Sequence, residues 1–246
     1  MTFFEAIISG IVQGVTEFLP VSSSGHLVIL HRLIGLKEPQ LVFDIFLHVG
    51  TLAAVFIVFW QDIVDIFVSK RRTGLYIALG TLVTGIYVLI FGKSIEVAFA
   101  KPGLVGMMLI ITGIWLILGR FIRFSTGPIT GFKAIIIGLA QAIATLPGIS
   151  RSGVTISTGL FLGMSPEAAA RFSFLLSIPA IIGAFLLKVR GADMTGVGVN
   201  YFIGFVISCI VGVLSLKLLL KALHRDRLHF FGVYCIVAGL FVWIVL

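Results

Sequence analysis

Long apolar runs alternate with short polar breaks along the chain, and six of the runs are long enough to cross a hydrocarbon layer of about 30 Å. They cover approximately residues 42–61, 74–92, 104–119, 167–187, 201–220 and 229–246. Trp60 and Trp243 stand near span ends, where an amphipathic ring is at ease. Two further apolar runs break the pattern. Residues 3–19 lead into LPVSSSGH and a short apolar piece, 27–36, and residues 129–146 lead into LPGISRSG and another short piece, 154–163. Each reads as a short helix, a proline-containing polar turn and a second short helix. A break of that kind at membrane depth is viable only where protein buries it or a cavity receives it. Both are therefore expected to be re-entrant helical hairpins, giving an all-α integral membrane protein of six transmembrane helices plus two hairpins.

Composition supports the membrane reading. Of 246 residues, 59% are hydrophobic and 11% charged, and mean hydropathy is +1.18. A water-soluble domain of this size could not hide that much apolar side chain in its own interior. The net charge of +8 fits basic loops set by the positive-inside rule. It does not point to nucleic acid, since no basic stretch is interleaved with exposed aromatics. Cys209 and Cys235 lie inside apolar runs and read as small hydrophobes. The first apolar run lacks a basic leader and carries Gln13 and Glu17, unlike a cleavable signal peptide.

Charge placement predicts orientation. With the N-terminus outside and the first hairpin returning outside, one face receives Lys70, Arg71, Arg72, Arg120, Arg123, Lys133, Lys217, Lys221, Arg225 and Arg227. The other receives Arg32, Lys37, Lys93, Lys101, Lys188 and Arg190. The richer face is expected to be cytoplasmic, which leaves both termini outside.

The halves, approximately 1–119 and 120–246, resemble each other. GIVQGVTEFLPVSSSG begins at Gly10 and GLAQAIATLPGISRSG at Gly138. Gln13 aligns with Gln141, Pro20 with Pro147 and Ser23 with Ser150, allowing a one-residue slip. Three spans per half turn the second copy upside down, so this is expected to be an inverted repeat in one membrane domain, with both broken segments near the midplane. Asp44 and Arg171 occupy matching positions with opposite charges and are expected to pair across the pseudo-twofold axis.

Glu17 and Arg151 carry the chemistry. Each costs about 2.5–3.5 kcal/mol at the centre of a spanning helix, so each needs a partner or a wet cavity. Ser22, Ser23 and Ser24 precede one helix start and Ser150 and Ser152 another, where serines cap the helix. Two helix N-termini facing one cavity also offer N–H groups and positive dipole ends to an anion. Arg151 adds a planar fork suited to phosphate oxygens. Gln13 and Glu17, four apart, share a helix face. Ser23 and His26, three apart, are expected to pair as nucleophile and proton acceptor, and Arg151 and Thr155 to hold the phosphoryl group. His31, His224 and His229 read as interfacial, and His48 as a packed core histidine.

At these two motifs the sequence resembles the undecaprenyl-diphosphate phosphatase, or bacitracin-resistance, family. QGVTEFLPVSSSGH, Gln13 to His26, and PGISRSGVT, Pro147 to Thr155, carry the resemblance, with RFSFLLSIPAIIGA downstream. The resemblance implies hydrolysis of a polyprenyl diphosphate to the monophosphate plus inorganic phosphate at the outer face of the plasma membrane, recycling the lipid carrier of cell-wall glycan synthesis. It implies a site at Glu17, Ser23, His26, Ser150, Arg151 and Thr155, with Gln13 and Ser22 nearby, and dependence on Mg²⁺ or Ca²⁺. Gln13 stands where some members have glutamate, leaving Glu17 as the only carboxylate of the first motif and the one protein ligand expected for a metal; metal affinity without substrate is then expected to be weak. The partners implied are the lipid substrate and the bilayer, and a homodimer is an allowed assembly. A lipid-phosphate transporter or flippase is the rival reading, since inverted repeats with broken helices are also transporter architecture; a non-enzymatic lipid-binding subunit is a third.

Overall fold

The computed structural model describes residues 1–36, 40–99, 101–119, 126–189, 197–223 and 228–245. Among the described residues the protein has eleven helices and no strand. In chain order they are α1 (Phe3–Thr16), α2 (Ser23–Leu33), α3 (Leu41–Val58), α4 (Trp60–Val68), α5 (Arg71–Phe99), α6 (Pro102–Leu118), α7 (Gly131–Ile143), α8 (Arg151–Phe161), α9 (Pro166–Val189), α10 (Val199–Leu223) and α11 (Leu228–Val245). Lys37, Arg120, Arg123, Arg190, His224, Arg225 and Arg227, which enter the charge and interface expectations, lie outside the described residues, as does residue 120 at the expected boundary between the halves.

The protein is an integral membrane protein. Segments Arg71–Phe99, Pro166–Leu187 and Val199–Lys221 are each long and apolar enough to cross a bilayer, and α3 with α4 makes a fourth candidate crossing, bent by 69°. The helices over the other two expected spans, α6 and α11, are apolar but stop about a turn short of the about 30 Å core at 1.5 Å per residue. The expected span 42–61 does not run straight. Phe59 leaves helical geometry at φ −106° and ψ 21°, and α4 starts at Trp60. A straight continuation would carry Asp62 and Asp65 along the apolar axis; the bend takes them out of line, where Asp62 meets Arg171 and Asp65 meets Lys70.

Many large apolar side chains face outward, in keeping with a lipid surround. Leu75, Leu82, Leu89 and Ile90 of α5, and Phe230, Val237 and Trp243 of α11, are exposed. Ser9, Gln13, Thr51, Thr112, Thr155, Ser173 and Ser208 are fully buried. Helices meet through small residues, as expected where lipid removes the hydrophobic drive for association. A Cβ on Gly138 would lie 2.6 Å from the Gly80 carbonyl oxygen, and one on Gly113 would lie 2.5 Å from that of Gly232.

These contacts also set directions. Gly10 meets Gly204 and Gly14 meets Ser208 and Gly212, so α1 and α10 run parallel. Gly80 and Thr84 meet Ala134, Gly138 and Gln141 in advancing order, so α5 and α7 run parallel. Gly106 meets Gly239 while Gly113 meets Gly232, so α6 and α11 run antiparallel. The largest apolar cluster joins Phe18, Val55, Phe59, Ile156, Leu160, Phe174 and Leu216. Phe174 packs on both Phe18 and Phe59 at 5.7 Å between ring centroids, fixing the residue next to Glu17.

Arg171 does not pair with Asp44. Its Nη1 donates to both Asp62 oxygens at 2.6 and 2.8 Å. The end of α3 meets the start of α9, so Asp44, at the start of α3, is a helix length away; it stands 3.8 Å from the buried His31. His31 is therefore buried within the protein.

Candidate active site

Two helix–turn–helix pairs, α1–α2 and α7–α8, bring their turns together. Glu17 is the C-cap of α1, and Pro20 prevents the helix from continuing. Ser22 then caps α2, accepting from Gly25 N–H at 3.3 Å, and is the only non-glycine residue with positive φ, 67°, among the described residues. In the second pair Gly148 turns the chain at φ 93°, where a Cβ would lie 2.4 Å from the Val105 carbonyl oxygen. Ser150 caps α8, accepting from Gly153 N–H at 3.1 Å. The offset between the caps Ser22 and Ser150 is the same as between Gln13 and Gln141. The register of the two motifs is thus uniform: Ser23 corresponds to Arg151, not Ser150, and only the proline slips.

The turns interlock. A Cβ on Gly25 would lie 3.3 Å from Gly148, and one on Gly153 would lie 3.1 Å from Pro20. Ser152 Oγ donates to the Leu19 carbonyl at 3.2 Å. From the flanking helices, Thr112 Oγ1 donates to the Gly148 carbonyl at 3.1 Å and accepts from Ser150 N–H at 3.1 Å. Cys235 Sγ donates to the Pro20 carbonyl at 3.5 Å.

Glu17 is the hub, at 7% exposure. One carboxylate oxygen, Oε2, accepts from Ser23 Oγ at 2.6 Å and from Gln13 Nε2 at 3.0 Å, with His48 Nε2 at 3.7 Å. The other, Oε1, accepts from Arg151 Nη2. Arg151 Nη1 is buried and makes no hydrogen bond within the protein. The guanidinium therefore holds the carboxylate with one arm and keeps the other for a further acceptor, the bidentate chemistry that suits a phosphate oxygen.

Intrahelical bonding in α2 begins at His26 N–H and in α8 at Val154 N–H. With Gly25 and Gly153 N–H taken by the caps, the N–H groups of Ser23, Ser24, Arg151 and Ser152 have no acceptor within their helices. Four such donors at two positive helix ends, together with an unpaired guanidinium nitrogen, are chemistry suited to an anion.

Residues 6–241 match the family model described as Bacitracin resistance protein BacA. The chain belongs to that family. Family relatives named undecaprenyl-diphosphatase include one from Methanosphaera stadtmanae, 42% identical over 269 residues, covering 98% of this chain and 96% of the relative. Another, from Halothermothrix orenii, is 39% identical over 252 residues, covering 98% and 97%. A third, from Carboxydothermus hydrogenoformans, is 42% identical over 249 residues, covering 97% and 95%.

The structure gathers Gln13, Glu17, Ser23 and Arg151 at one point. Ser22, Ser150 and Ser152 sit in the walls as caps and turn locks. Thr155 is turned away: its hydroxyl donates to the Arg151 carbonyl at 2.7 Å and pairs with Ser173 Oγ at 2.6 Å, bracing α8 against α9. Ser23 takes Glu17 as its partner. The imidazole of His26 faces elsewhere, with Nδ1 2.8 Å from the Ser22 carbonyl and Nε2 2.7 Å from Tyr234 Oη.

Sequence reading underrated His48, which points at Glu17 because Asp44, four residues back, anchors its Nδ1 at 2.7 Å through the backbone carbonyl. It missed Tyr234, Thr112 and Ser173, whose one signal is a polar group in an apolar run. Among the described residues no group of three or more His, Cys, Asp or Glu side chains could hold a metal ion. Both Glu17 oxygens are already engaged by Arg151, Ser23 and Gln13, so this donor set does not fit a resident divalent cation.

Proposed function

We propose that the protein hydrolyses undecaprenyl diphosphate, or a related polyprenyl diphosphate, to the monophosphate and inorganic phosphate, recycling the lipid carrier of cell-wall glycan synthesis. The observation that carries this reading is the convergence of Ser23 and Arg151 on the two oxygens of Glu17, with Arg151 Nη1 left open. The names of the family relatives agree with it.

In this mechanism Arg151 Nη1 and the four N–H groups receive the phosphate oxygens, the positioning and charge stabilisation that dominate phosphoryl transfer. Glu17 takes the Ser23 hydroxyl proton as Oγ bonds the terminal phosphorus. The bridging P–O bond breaks, and the polyprenyl monophosphate leaves. With the proton passed from Glu17 to the departing monophosphate, water attacks the phosphoserine, Glu17 takes the water proton and returns it to Ser23 Oγ as the P–Oγ bond breaks, and inorganic phosphate is released. The variant in which Glu17 activates water directly keeps every contact except the covalent one. Trapping of phosphorylated Ser23 favours the first route; full activity in Ser23→Ala excludes it. No step is routed through Mg²⁺ or Ca²⁺, and calorimetric titration of the apoprotein with either ion is expected to reveal no tight site.

The wider architecture in this proposal is six spans plus two re-entrant hairpins in inverted halves, 1–119 and 120–246. Helix packing supports it: exchanging α1 with α7, α5 with α10 and α6 with α11 turns the α1–α10 contact into the α7–α5 contact and returns α6–α11 to itself. At 11 residues each, α2 and α8 reach only about 16 Å, half a hydrocarbon layer. The plasma membrane, a site open to the outer leaflet, external termini and a substrate tail left in lipid complete the proposal.

The test is phosphate release from undecaprenyl diphosphate by purified protein in detergent, wild type against Arg151→Ala. Release that Arg151→Ala abolishes supports hydrolysis. A flippase or a passive lipid-binding subunit would release none, because detergent offers no membrane to cross.

A further inference from the structure

Tyr234 is a polar residue in the middle of apolar α11, and half of it is exposed. A phenol on a lipid-facing helix must find a partner or bear the cost of an unsatisfied hydroxyl in hydrocarbon. Its partner is His26 of α2, on the other half of the chain. Tyr234 Oη lies 2.7 Å from His26 Nε2, and the two rings stack at 5.6 Å between centroids with planes 10° apart.

The hydrogen bonds define the tautomer. His26 Nδ1 lies 2.8 Å from the Ser22 carbonyl, and a carbonyl oxygen only accepts, so Nδ1 carries the proton. In the neutral ring Nε2 is then a bare acceptor, and the Tyr234 hydroxyl donates to it. The same Ser22 carbonyl accepts from His26 backbone N–H at 3.2 Å. His26 thus ties down the carbonyl of Ser22, the one non-glycine residue with positive φ among the described residues, immediately before Ser23. The next residue of α11, Cys235, donates to the Pro20 carbonyl in the same turn, so α11 grips this turn at two successive positions.

We propose that Tyr234 is a positioning residue for the reaction at Ser23. Its hydroxyl donates to Nε2 of the Nδ1–H tautomer that the Ser22 carbonyl sets, the ring stack blocks rotation of the imidazole, and the fixed imidazole sets the Ser22–Ser23 turn that aims Oγ at Glu17. This rests on the diphosphatase reading above for its kinetic consequence, but the tautomer does not depend on that reading.

The test compares wild type with Tyr234→Phe, which keeps the ring and removes only the hydroxyl. Two readouts are taken on detergent-solubilised protein: kcat and KM for phosphate release, and the ¹⁵N shifts of the His26 ring, assigned by their loss in His26→Gln. We expect kcat to fall by about three- to tenfold, the size of one hydrogen bond, with KM unchanged within about twofold, and the His26 Nε2 signal to shift as its hydrogen bond is lost. Tyr201→Phe, whose ring packs on Phe43 and Phe46, is expected to change neither readout. An unchanged kcat in Tyr234→Phe overturns the proposal, as does a fall in kcat with unmoved His26 signals, or an equal fall in Tyr201→Phe. Wild-type His26 in the Nε2–H tautomer overturns it without any variant. If the wild type releases no phosphate, the diphosphatase reading fails by itself, and the ¹⁵N comparison still decides whether the Tyr234 hydroxyl holds His26 Nε2.

Discussion

Ser23 and Arg151 hold matching places in the two helix–turn–helix motifs, and each bonds a different oxygen of Glu17. Each is the first residue of a helix capped by the serine before it. One sequence motif, used twice, supplies a hydroxyl in the first copy and a guanidinium in the second. The carboxylate that joins them comes from the first copy alone, because Thr145 stands at the position corresponding to Glu17 and turns its hydroxyl onto the Ala142 carbonyl at 2.6 Å. The difference in chemistry between the two motifs therefore lies in the side chains at these positions.

Glu17→Gln keeps the shape of the hub and removes its charge. Phosphate release is expected to fall by about 10²- to 10⁴-fold, the usual contribution of a positioned acid–base group. Arg151 would lose its buried counter-charge, which costs about 3–5 kcal/mol. The thermal midpoint should therefore drop in Glu17→Gln and partly recover in Glu17→Gln with Arg151→Gln. An unchanged midpoint in the single variant would mean that Arg151 is not held by Glu17.

Arg151→Lys retains the charge but not the fork. A lysine can serve the carboxylate or the phosphate, not both in one plane. Losing one charge-assisted hydrogen bond of about 1.5–3 kcal/mol predicts phosphate release down by roughly 10- to 100-fold. Wild-type activity in this variant would show that Nη1 is not a phosphate ligand.

Close helix contacts predict opposite outcomes for two glycines. A Cβ on Gly138 would press on the Gly80 backbone at 2.6 Å, whereas one on Gly85, on the same α5 as Gly80, would meet nothing within 4 Å. Gly138→Ala is expected to destabilise by about 1–3 kcal/mol, the cost of overpacking. Gly85→Ala should be neutral or stabilising by up to about 1 kcal/mol. Thermal unfolding in detergent of both variants distinguishes them, and equal midpoints would contradict the α5–α7 contact.

Charge exchange tests the Asp62–Arg171 pair. Arg171 is more than half exposed, so each single reversal is expected to cost less than about 1 kcal/mol. The double exchange, Asp62→Arg with Arg171→Asp, should restore the midpoint. Rescue by reversal at Asp44 in place of Asp62 would refute the contact.

Residue order alone was enough to put the chain in lipid, to interrupt it with two polar turns, and to demand partners for Glu17 and Arg151. Hydropathy is a sum over local composition, and an ionisable residue in an apolar run announces its own cost, so neither inference requires knowing what is near what. Only the tertiary structure decided which polar atoms meet. Ser23 and His26 share a helix face by spacing, yet Ser23 turns to Glu17 on a different helix and His26 to Tyr234 from the far end of the chain. Thr155 looked like a phosphate ligand by its place in the motif, but α9 brings Ser173 against it. Arg171 matched Asp44 by repeat position, while the bend at Phe59 delivers Asp62 instead. A short hydroxyl or imidazole has several acceptors within reach of its own helix, and the choice among them is made by packing between helices, which one-dimensional spacing does not encode.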